Sequence, residues 1–423
     1  MAAFRTSFHH YRRLTTTTTT KTTAAINTTP LLPKLTSQNH FYDDDGCWET
    51  VKTLATSREF TKIESFLESR KQDPKITEEG YVSTLIRCYG VAGMYQKAFD
   101  LFNQMPQLGT PRSCLSFNAL LSAHKLSKKY DHVPKLFDEI PQKYGFEVDK
   151  FSYHILIKSL CRSGSVEKAL LILKVMEEKN VEITATVYGM ILDALYRKKK
   201  TKQAEKLWKE MTDKGCSPDV GVYNVRILHA GFAGEPEDIL ALLEEMKAKG
   251  LEPNIFSYNT LFTCYSKKGM VEEARKVYQD LEENGCLPNI ATYRLLIFHY
   301  CGTQDFDMAY EVFKKSVQKE KAPGYQTLKK LINGLVESSK RKEAKELVET
   351  MRGFHQDKLP HYWKKLVARL GLDGDQNGLI EKSEVTGLGE DENGLIEKPE
   401  VTGLGEDEND LIEKPEVIDE ECK

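Results

Sequence analysis

The chain has 423 residues, 40% of them hydrophobic and 29% charged, and a formal net charge of −3 at pH 7. It contains no apolar run of the roughly 18 residues that suggest a membrane span, and its nine cysteines form no C-x-x-C pair. These features argue against a membrane-spanning helix, a zinc ribbon and a thioredoxin-type site. The charge is segregated: residues 1–42 hold five Arg and Lys and no acid, whereas residues 372–423 hold eighteen acids and four Lys. The part between them is mildly basic, which permits an anionic partner.

Residues 1–42 are predicted to be a transit peptide. Arg5, Arg12 and Arg13 lie among many threonines, and no acid occurs before Asp43. The segment also lacks the continuous apolar core of a secretory signal, so its composition is typical of an organelle presequence. The clustered arginines favour the mitochondrial matrix, and the abundant threonine leaves the chloroplast stroma as the alternative.

The body of the chain repeats with a period of thirty-five residues. The stretch EPNIFSYNTL at 252–261 has counterparts in SPDVGVYNVR at 217–226 and LPNIATYRLL at 287–296. Periods of 20–50 residues are typical of solenoids and propellers. The predicted units, of which the second has one extra residue and the eighth is incomplete, are 79–113, 114–149, 150–184, 185–219, 220–254, 255–289, 290–324 and 325–359. A degenerate helical repeat is predicted at 43–78 and a capping helix at 360–372.

Unit 255–289 indicates that each repeat is a helix–turn–helix. Its two halves carry apolar residues at helical spacing: Tyr258, Leu261, Phe262 and Tyr265, then Val271, Ala274, Val277, Tyr278 and Leu281. Gly269 predicts the turn between the helices, and Gly285 predicts the end of the second. A small residue recurs where a second helix must approach its neighbour closely, at Ala98, Ala169, Ala204, Ala274, Ala309 and Ala344. Because one helix pair cannot bury its apolar faces alone, the units must stack into an all-α solenoid whose concave face follows the first helices.

The period and its motifs resemble the pentatricopeptide repeat family over about residues 79–357. The stretches that carry the resemblance are SPDVGVYN, EPNIFSYNTLF, SKKGMVEEA, CRSGSVEKAL and KEMTDKG. Uniform units resemble the P-type subclass of plant organelles, and no H-x-E with P-C-x-x-C marks a deaminase extension. The resemblance implies a right-handed α-solenoid that binds single-stranded RNA, one base per repeat, without a cofactor. Since no short catalytic motif occurs, we expect no enzymatic activity.

The resemblance also implies that two side chains in each unit read a base, one early in the first helix and one at the end of the unit. An Asn amide offers a donor and an acceptor to a Watson–Crick edge, and a second Asn or Asp holds its orientation. The predicted readers are Asn118, Asn224 and Asn259, and the residues that orient them are Asp149, Asn254 and Asn289. The pairs that depart from the pattern are Ser83 with Ser113, His154 with Thr184, Gly189 with Asp219, and Arg294 with Gly324.

Further contacts with RNA are expected around these pairs. Apolar residues at the base-wedging position are Leu115, Phe151 and Phe256, whereas Gly80, Gly221 and Gln326 suit that position poorly. Lysines and arginines near the turns are expected to meet phosphates. In the alternative interpretation, the three reader asparagines only cap the starts of helices.

Residues 373–423 are predicted to be a disordered acidic tail. The stretches GLIEKSEVTGLGEDEN and GLIEKPEVTGLGEDEN are tandem sixteen-residue repeats. The stretch DGDQNGLIEKSE at 373–384 matches an EF-hand loop, with Asp373, Asp375, Asn377 and Glu384 as potential oxygen ligands. However, the following VTGLGED forms a poor helix, and Gly389 and Gly405 replace the first ligand in the later copies. We therefore predict a solvated tail and no metal site.

Two functions of different classes fit these features. The predicted function is that of an organellar single-stranded RNA-binding protein that acts on a transcript in processing, stability or translation. The alternative is a structural subunit of the mitochondrial ribosome, with rRNA and mitoribosomal proteins as partners. Units that depart from the base-reading pattern and an acidic tail suit this alternative. A nuclease would need an additional domain with clustered carboxylates, and the only such cluster is the tail.

Overall fold

The computed structural model describes residues 46–354 and 361–372. The chain divides into two units, residues 1–40 and residues 41–423, and all described residues belong to the second. The predicted transit peptide and the acidic tail, including its EF-hand-like stretch, therefore lie outside the described residues.

Helices account for all regular structure in the described residues, which confirms the predicted all-α class. A short 3-10 helix spans Pro74–Thr77. The α-helices are α1 (Cys47–Thr56), α2 (Phe60–Arg70), α3 (Glu79–Val91), α4 (Tyr95–Gln104), α5 (Cys114–Leu126), α6 (His132–Tyr144), α7 (Lys150–Arg162), α8 (Val166–Glu178), α9 (Ala185–Arg197), α10 (Thr201–Asp213), α11 (Val220–Ala233), α12 (Pro236–Ala248), α13 (Ile255–Lys267), α14 (Val271–Glu283), α15 (Ile290–Gly302), α16 (Phe306–Gln318), α17 (Tyr325–Glu337), α18 (Arg341–Phe354) and α19 (His361–Leu370).

The helices from α3 to α18 form eight successive hairpins, which we number repeats 1 to 8. The first helix of each hairpin begins at the first residue of a predicted unit, as α3 does at Glu79 and α13 at Ile255. Each first helix packs against the first helix of the next repeat and against the second helix of its own repeat. Since the first helices form one continuous row, whatever their exposed faces carry is presented along the whole array.

The turns between helices need a left-handed residue. Gly269 has φ +72° in the turn of repeat 6, and Gly285 has φ +71° just after α14. A glycine enters this region without a steric penalty, because it has no Cβ. In repeat 4, Lys199 takes the same turn position with φ +58°. The same left-handed conformation therefore occurs at this turn position with either residue. Glycine lowers its steric cost but is not required.

Small residues allow the helices to approach closely. The six alanines predicted at close contacts of the second helices are all fully buried. Gly90 in α3 is a stronger case, because a Cβ at that residue would lie 2.4 Å from the Cα atom of Ala123 in α5. The backbones of these two first helices therefore touch with no room for a side chain.

The C-terminal end of the array is closed by α19. Trp363, Leu366 and Val367 are buried in the same apolar cluster as the residues of α17. The ring of Trp363 meets that of Tyr325 edge-on, with centroids 5.3 Å apart. The helix therefore covers an apolar face that a following repeat would otherwise cover.

Candidate nucleic-acid interface

The last residue of a repeat is built into the start of the next first helix. Asp149, Asn254 and Asn289 are the N-cap residues of α7, α13 and α15. Their side-chain oxygens accept the backbone N–H of the third helical residue at 2.8 Å, 3.3 Å and 2.9 Å, respectively. Such caps satisfy donors that the helix itself leaves unpaired. These three predicted orienting residues are therefore fixed by the backbone of the following repeat.

Asn118 is hydrogen-bonded to two residues at the boundary between repeats 2 and 3. Its Nδ2 donates to both carboxylate oxygens of Asp149, at 3.0 Å and 3.1 Å. Its Oδ1 accepts a hydrogen bond from the Oγ of Ser152 at 2.6 Å. A primary amide has donors at one end and an acceptor at the other, and these contacts fix the orientation of both ends of the Asn118 amide.

The same arrangement recurs three first helices further along, between α11 and α13. Asn224 donates through Nδ2 to the Oδ1 of Asn254 at 3.2 Å and accepts from the Oγ of Ser257 at 2.6 Å. Sequence reasoning missed the two serines that fix the amides, Ser152 and Ser257. Their signal was available, since each follows the capping residue by three positions.

The third predicted pair is different. Among the described residues no hydrogen bond joins Asn259 to Asn289, although both lie at the predicted positions. Asn259 is 3% exposed and Asn118 is 6% exposed, whereas Asn224 is partly exposed. The structure therefore assembles two of the three reader pairs and leaves little surface of two readers open to a base.

The alternative interpretation of the reader asparagines as helix caps is wrong. The residues that cap α5, α11 and α13 are Ser113, Asp219 and Asn254. Asn118, Asn224 and Asn259 are the fifth residues of those helices, beyond the four N–H groups that a cap can serve. Helix capping therefore does not explain the asparagines at these three positions.

Units that depart from the base-reading pattern also differ in geometry. The Oγ of Ser83 is buried without a hydrogen-bond partner, while the Oγ of Ser113 donates to Glu79 at 2.9 Å and 3.0 Å. A Cβ at Gly189 would lie 3.2 Å from a methyl group of Val222. At the reader position these two repeats therefore have a buried hydroxyl and a close helix contact instead of an amide.

Lysines near the turns have partners other than the expected phosphates. Lys268 contacts Glu235 at 2.8 Å, and Lys340 contacts Asp307 at 2.5 Å. Lys200 forms an equivalent ion pair with Glu167. Each pair joins one turn to the second helix of the preceding repeat, so these lysines are already neutralised. Exposed pairs of this kind contribute only about 0–1 kcal/mol to stability, so a phosphate could still compete for them.

A polar and aromatic network lies between α9 and α11. The Nε2 of His229 is 2.9 Å from the Oδ1 of Asp193, and the Nε of Arg197 donates to the Oδ2 of that carboxylate at 2.9 Å. Burial acts to raise the pKa of Asp193, but the His229 hydrogen bond and the charge of Arg197 outweigh it and lower that pKa. The ring of Tyr196 stacks on His229 with centroids 5.0 Å apart. The negative charge of Asp193 is therefore compensated by the groups around it.

Two kinds of site are not seen in the part of the chain that the structure describes. No group of three His, Cys, Asp or Glu residues there could hold a metal ion. No helix there is long and apolar enough to cross a membrane.

Family models match most of the repeat array. A model of the PPR repeat family matches residues 184–227, 218–266 and 253–302. Two further PPR repeat models match residues 144–177 and residues 82–110 and 115–144. The matched residues include all six predicted base-reading and orienting residues, among them Asp149 within 144–177.

Several relatives are similar to this chain. It is 50% identical over 324 residues to the small ribosomal subunit protein mL103 (rPPR7) of Arabidopsis thaliana, an alignment that covers 76% of this chain and 78% of that protein. It is 52% identical over 136 residues to a mitochondrial pentatricopeptide repeat-containing protein of the same plant, covering 32% of each. Among solved structures, the pentatricopeptide repeat protein PPR10 from maize aligns with 19% identity and a TM-score of 0.44, over 76% of this chain and 49% of that one. The chain belongs to the pentatricopeptide repeat family.

Proposed function

We propose that this chain is a non-catalytic, RNA-binding component of the small subunit of the mitochondrial ribosome. The observation that carries the proposal is its 50% identity to the small ribosomal subunit protein mL103 over 78% of that protein. Similarity at this level over most of both chains supports a shared surface as well as a shared fold. The RNA bound in this role is rRNA, and the protein partners are mitoribosomal proteins.

The geometry of the first helices supports a structural role. A protein that reads a transcript base by base needs accessible readers in consecutive repeats. Of the three predicted Asn pairs, all of which the structure describes, Asn118–Asp149 and Asn224–Asn254 are joined by hydrogen bonds and Asn259–Asn289 is not, and the repeats between the two joined pairs have no Asn at the reader position. An array of this kind is better suited to holding RNA through its backbone and exposed rings than to reading a continuous sequence.

We place the protein in the mitochondrial matrix. The proposal is supported by the acid-free, arginine-bearing segment 1–42 and by relatives whose names include the word mitochondrial. Import of a fluorescent fusion into mitochondria of plant cells tests it, and accumulation in chloroplasts would favour the alternative.

A second candidate function is that of a transcript-binding factor. The two joined Asn pairs favour it, because resemblance to the family implies that Asn with Asp or Asn at these positions prefers pyrimidines. In this role the chain would bind an organellar mRNA and act in its processing, stability or translation. The two candidates share single-stranded RNA binding and differ in the particle to which the protein belongs.

Sedimentation of mitochondrial lysate distinguishes the two candidates. We expect the tagged protein to migrate with the small ribosomal subunit and to remain there through a high-salt wash, because a built-in subunit is held by many contacts at once. Migration in lighter particles that collapse on RNase treatment would instead identify a transcript-bound factor and overturn the ribosomal proposal.

The predicted readers are tested by the triple variant Asn118→Ala, Asn224→Ala and Asn259→Ala. We propose that it weakens binding to pyrimidine-rich single-stranded RNA by a few kcal/mol, at roughly 1–3 kcal/mol per base contacted. Fluorescence anisotropy at one fixed salt concentration measures the loss. The matched control is Asn284→Ala, an exposed asparagine after the end of a second helix. Equal affinity of the triple variant and the control would show that these asparagines do not read bases.

A further inference from the structure

Three exposed phenylalanines on first helices each have a lysine beside the ring. Phe151 in α7, Phe232 in α11 and Phe298 in α15 are 44%, 52% and 42% exposed. The ammonium groups of Lys150, Lys267 and Lys330 lie 5.7 Å, 5.9 Å and 4.8 Å from the respective ring centroids. Phe151 occupies the expected base-wedging position, but Phe232 and Phe298 do not and were missed by sequence reasoning.

Phe232 and Phe298 nevertheless lie on the stripe that passes through the base-wedging position. That position is the second residue of each first helix, Gly221 in α11 and Ala291 in α15. Phe232 follows Gly221 by eleven residues, and Phe298 follows Ala291 by seven. At about 100° per residue, both rings are within roughly 20° of the wedge direction, and they lie about 16 Å and 10 Å further along the helix axis.

These two repeats have no side chain able to wedge at the usual place. Gly221 has no side chain, and Ala291 has a single methyl group. The exposed ring on the same stripe supplies an apolar face that the second position lacks. A single exposed ring is ordinary on a protein surface, and what distinguishes Phe232 and Phe298 is the wedge stripe on which they lie and the lysine beside each ring.

We propose that Phe232 with Lys267, and Phe298 with Lys330, form two binding elements for nucleotides of single-stranded RNA. In each element a base stacks on the phenylalanine ring, and the lysine ammonium neutralises the adjacent phosphate. The elements act without base-specific hydrogen bonds and lie nearer the C-terminal ends of the first helices than the Asn pairs do. The inference rests on the RNA binding in the proposed function and identifies where that RNA lies in repeats 5 to 8.

The energies of the competing contacts allow a base to enter. An exposed ammonium over an aromatic ring is a weak contact, and stacking of a base on the same ring is the stronger of the two. A base can therefore displace the lysine from the ring, and the released ammonium gains a phosphate partner. Among the described residues neither Lys267 nor Lys330 forms an ion pair, in contrast to Lys268 beside the first of them.

The charge around Phe232 favours RNA over a protein as the occupant. The ring of His229 meets Phe232 edge-on, with centroids 5.6 Å apart. The nearby carboxylate of Asp193 is paired with His229 and Arg197. The rings of Tyr196 and Phe232 and the ammonium of Lys267 therefore lie together at the ends of α9, α11 and α13, a combination that suits a base and a phosphate of one strand.

The test is the double variant Phe232→Leu and Phe298→Leu in the full-length protein. The probe is a labelled single-stranded RNA of mixed sequence, long enough to span repeats 4 to 8, and affinity is measured by anisotropy over a series of salt concentrations. We expect binding to weaken roughly tenfold or more, with the salt dependence unchanged because every lysine is retained. Phe60→Leu is the matched control, since Phe60 is 47% exposed but lies on α2, outside the row of first helices of repeats 1 to 8.

A second variant guards against a loss of fold. Phe232→Tyr with Phe298→Tyr keeps both aromatic faces and is expected to bind like the parent protein. Conversely, Lys267→Gln with Lys330→Gln should reduce the slope of log affinity against log salt by about one to two.

Equal binding by the parent and the double leucine variant overturns this inference while leaving the proposed function intact. If the parent protein binds no RNA, the proposed function itself is overturned. If the double leucine variant loses a protein partner while its RNA binding is unchanged, the rings dock a protein and this inference is overturned.

Discussion

Single residues in this array serve two neighbouring repeats at once. Asp149 caps α7 through Ser152, and the same carboxylate accepts the Nδ2 of Asn118 from the preceding repeat. Asn254 does the same for α13 and Asn224. The residue that orients a candidate base reader is therefore also one that stabilises the next helix. A substitution at such a position changes both the free energy of unfolding and the surface offered to RNA.

The capping role of Asp149 can be measured separately from RNA binding. We expect Asp149→Ala to lower the free energy of unfolding by about 1 kcal/mol, because it removes a side chain that serves the backbone N–H of Ser152. Urea denaturation followed by circular dichroism measures this change. Thr184→Ala is the matched control, since Thr184 is the N-cap of α9 but makes no capping hydrogen bond through its side chain. An equal effect of the two substitutions would contradict the assigned role.

At the residue scale the sequence indicated the types of side chain but not their exposure. Resemblance to the family indicated Asn118 with Asp149, which are thirty-one positions apart, and the structure joins them by hydrogen bonds. The burial of Asn118 and Asn259 could not be read from the sequence, because it depends on how closely neighbouring first helices pack. The exposed ring of Phe298 was hidden for the same reason, since its neighbours in the sequence are core residues.

Each helix pair is specified locally and completed by its neighbour. Gly269 and Gly285 end helices through positive φ angles, as the spacing of glycines predicted. The first helices then approach through small residues, and the contact between Gly90 and Ala123 is the tightest example on α3. The period of the sequence is therefore also the period of the contacts.

Close packing of α3 on α5 predicts a strong effect of one added methyl group. We expect Gly90→Ala to lower the free energy of unfolding by about 1–3 kcal/mol, because its Cβ would collide with the backbone at Ala123. The midpoint of thermal unfolding reports the change. Gly302→Ala in α15 is the control, since a Cβ there has no neighbour within 4 Å and alanine favours helix over glycine. If Gly90→Ala were as stable as Gly302→Ala, the two helices could not be in backbone contact.

In residues 46–354 and 361–372, the main contacts between helices join elements that are close together along the array. Buried apolar residues group into successive clusters along the chain, and the last of them extends from Phe262 to Leu372. Stability in such an array is close to a sum of repeat and interface terms. Damage to one end should therefore remain local.

Removal of the tryptophan that closes the array tests this locality. We expect Trp363→Ala to cost about 3–5 kcal/mol locally, because its ring is buried against Tyr325 and α17. Hydrogen exchange should show lost amide protection in α15 to α19 and unchanged protection in α3 to α9. Trp208→Ala in α10 is the counterpart that should reduce protection around repeats 4 and 5 instead. Uniform loss of protection in either variant would mean that the array unfolds as one cooperative unit.

By itself the sequence determined the period, the helix pairs and the family, because turn glycines, apolar spacing and the recurring motifs are local signals that every repeat carries. Only the tertiary structure decided which polar residues meet across repeats. Asn224 is hydrogen-bonded to both Asn254 and Ser257, whereas Asn259 is not hydrogen-bonded to Asn289. It also decided that Lys268 faces Glu235 and that Phe232 and Phe298 face water. The physical reason is that exposure and pairing depend on the distance and rotation between adjacent hairpins, which no single repeat contains.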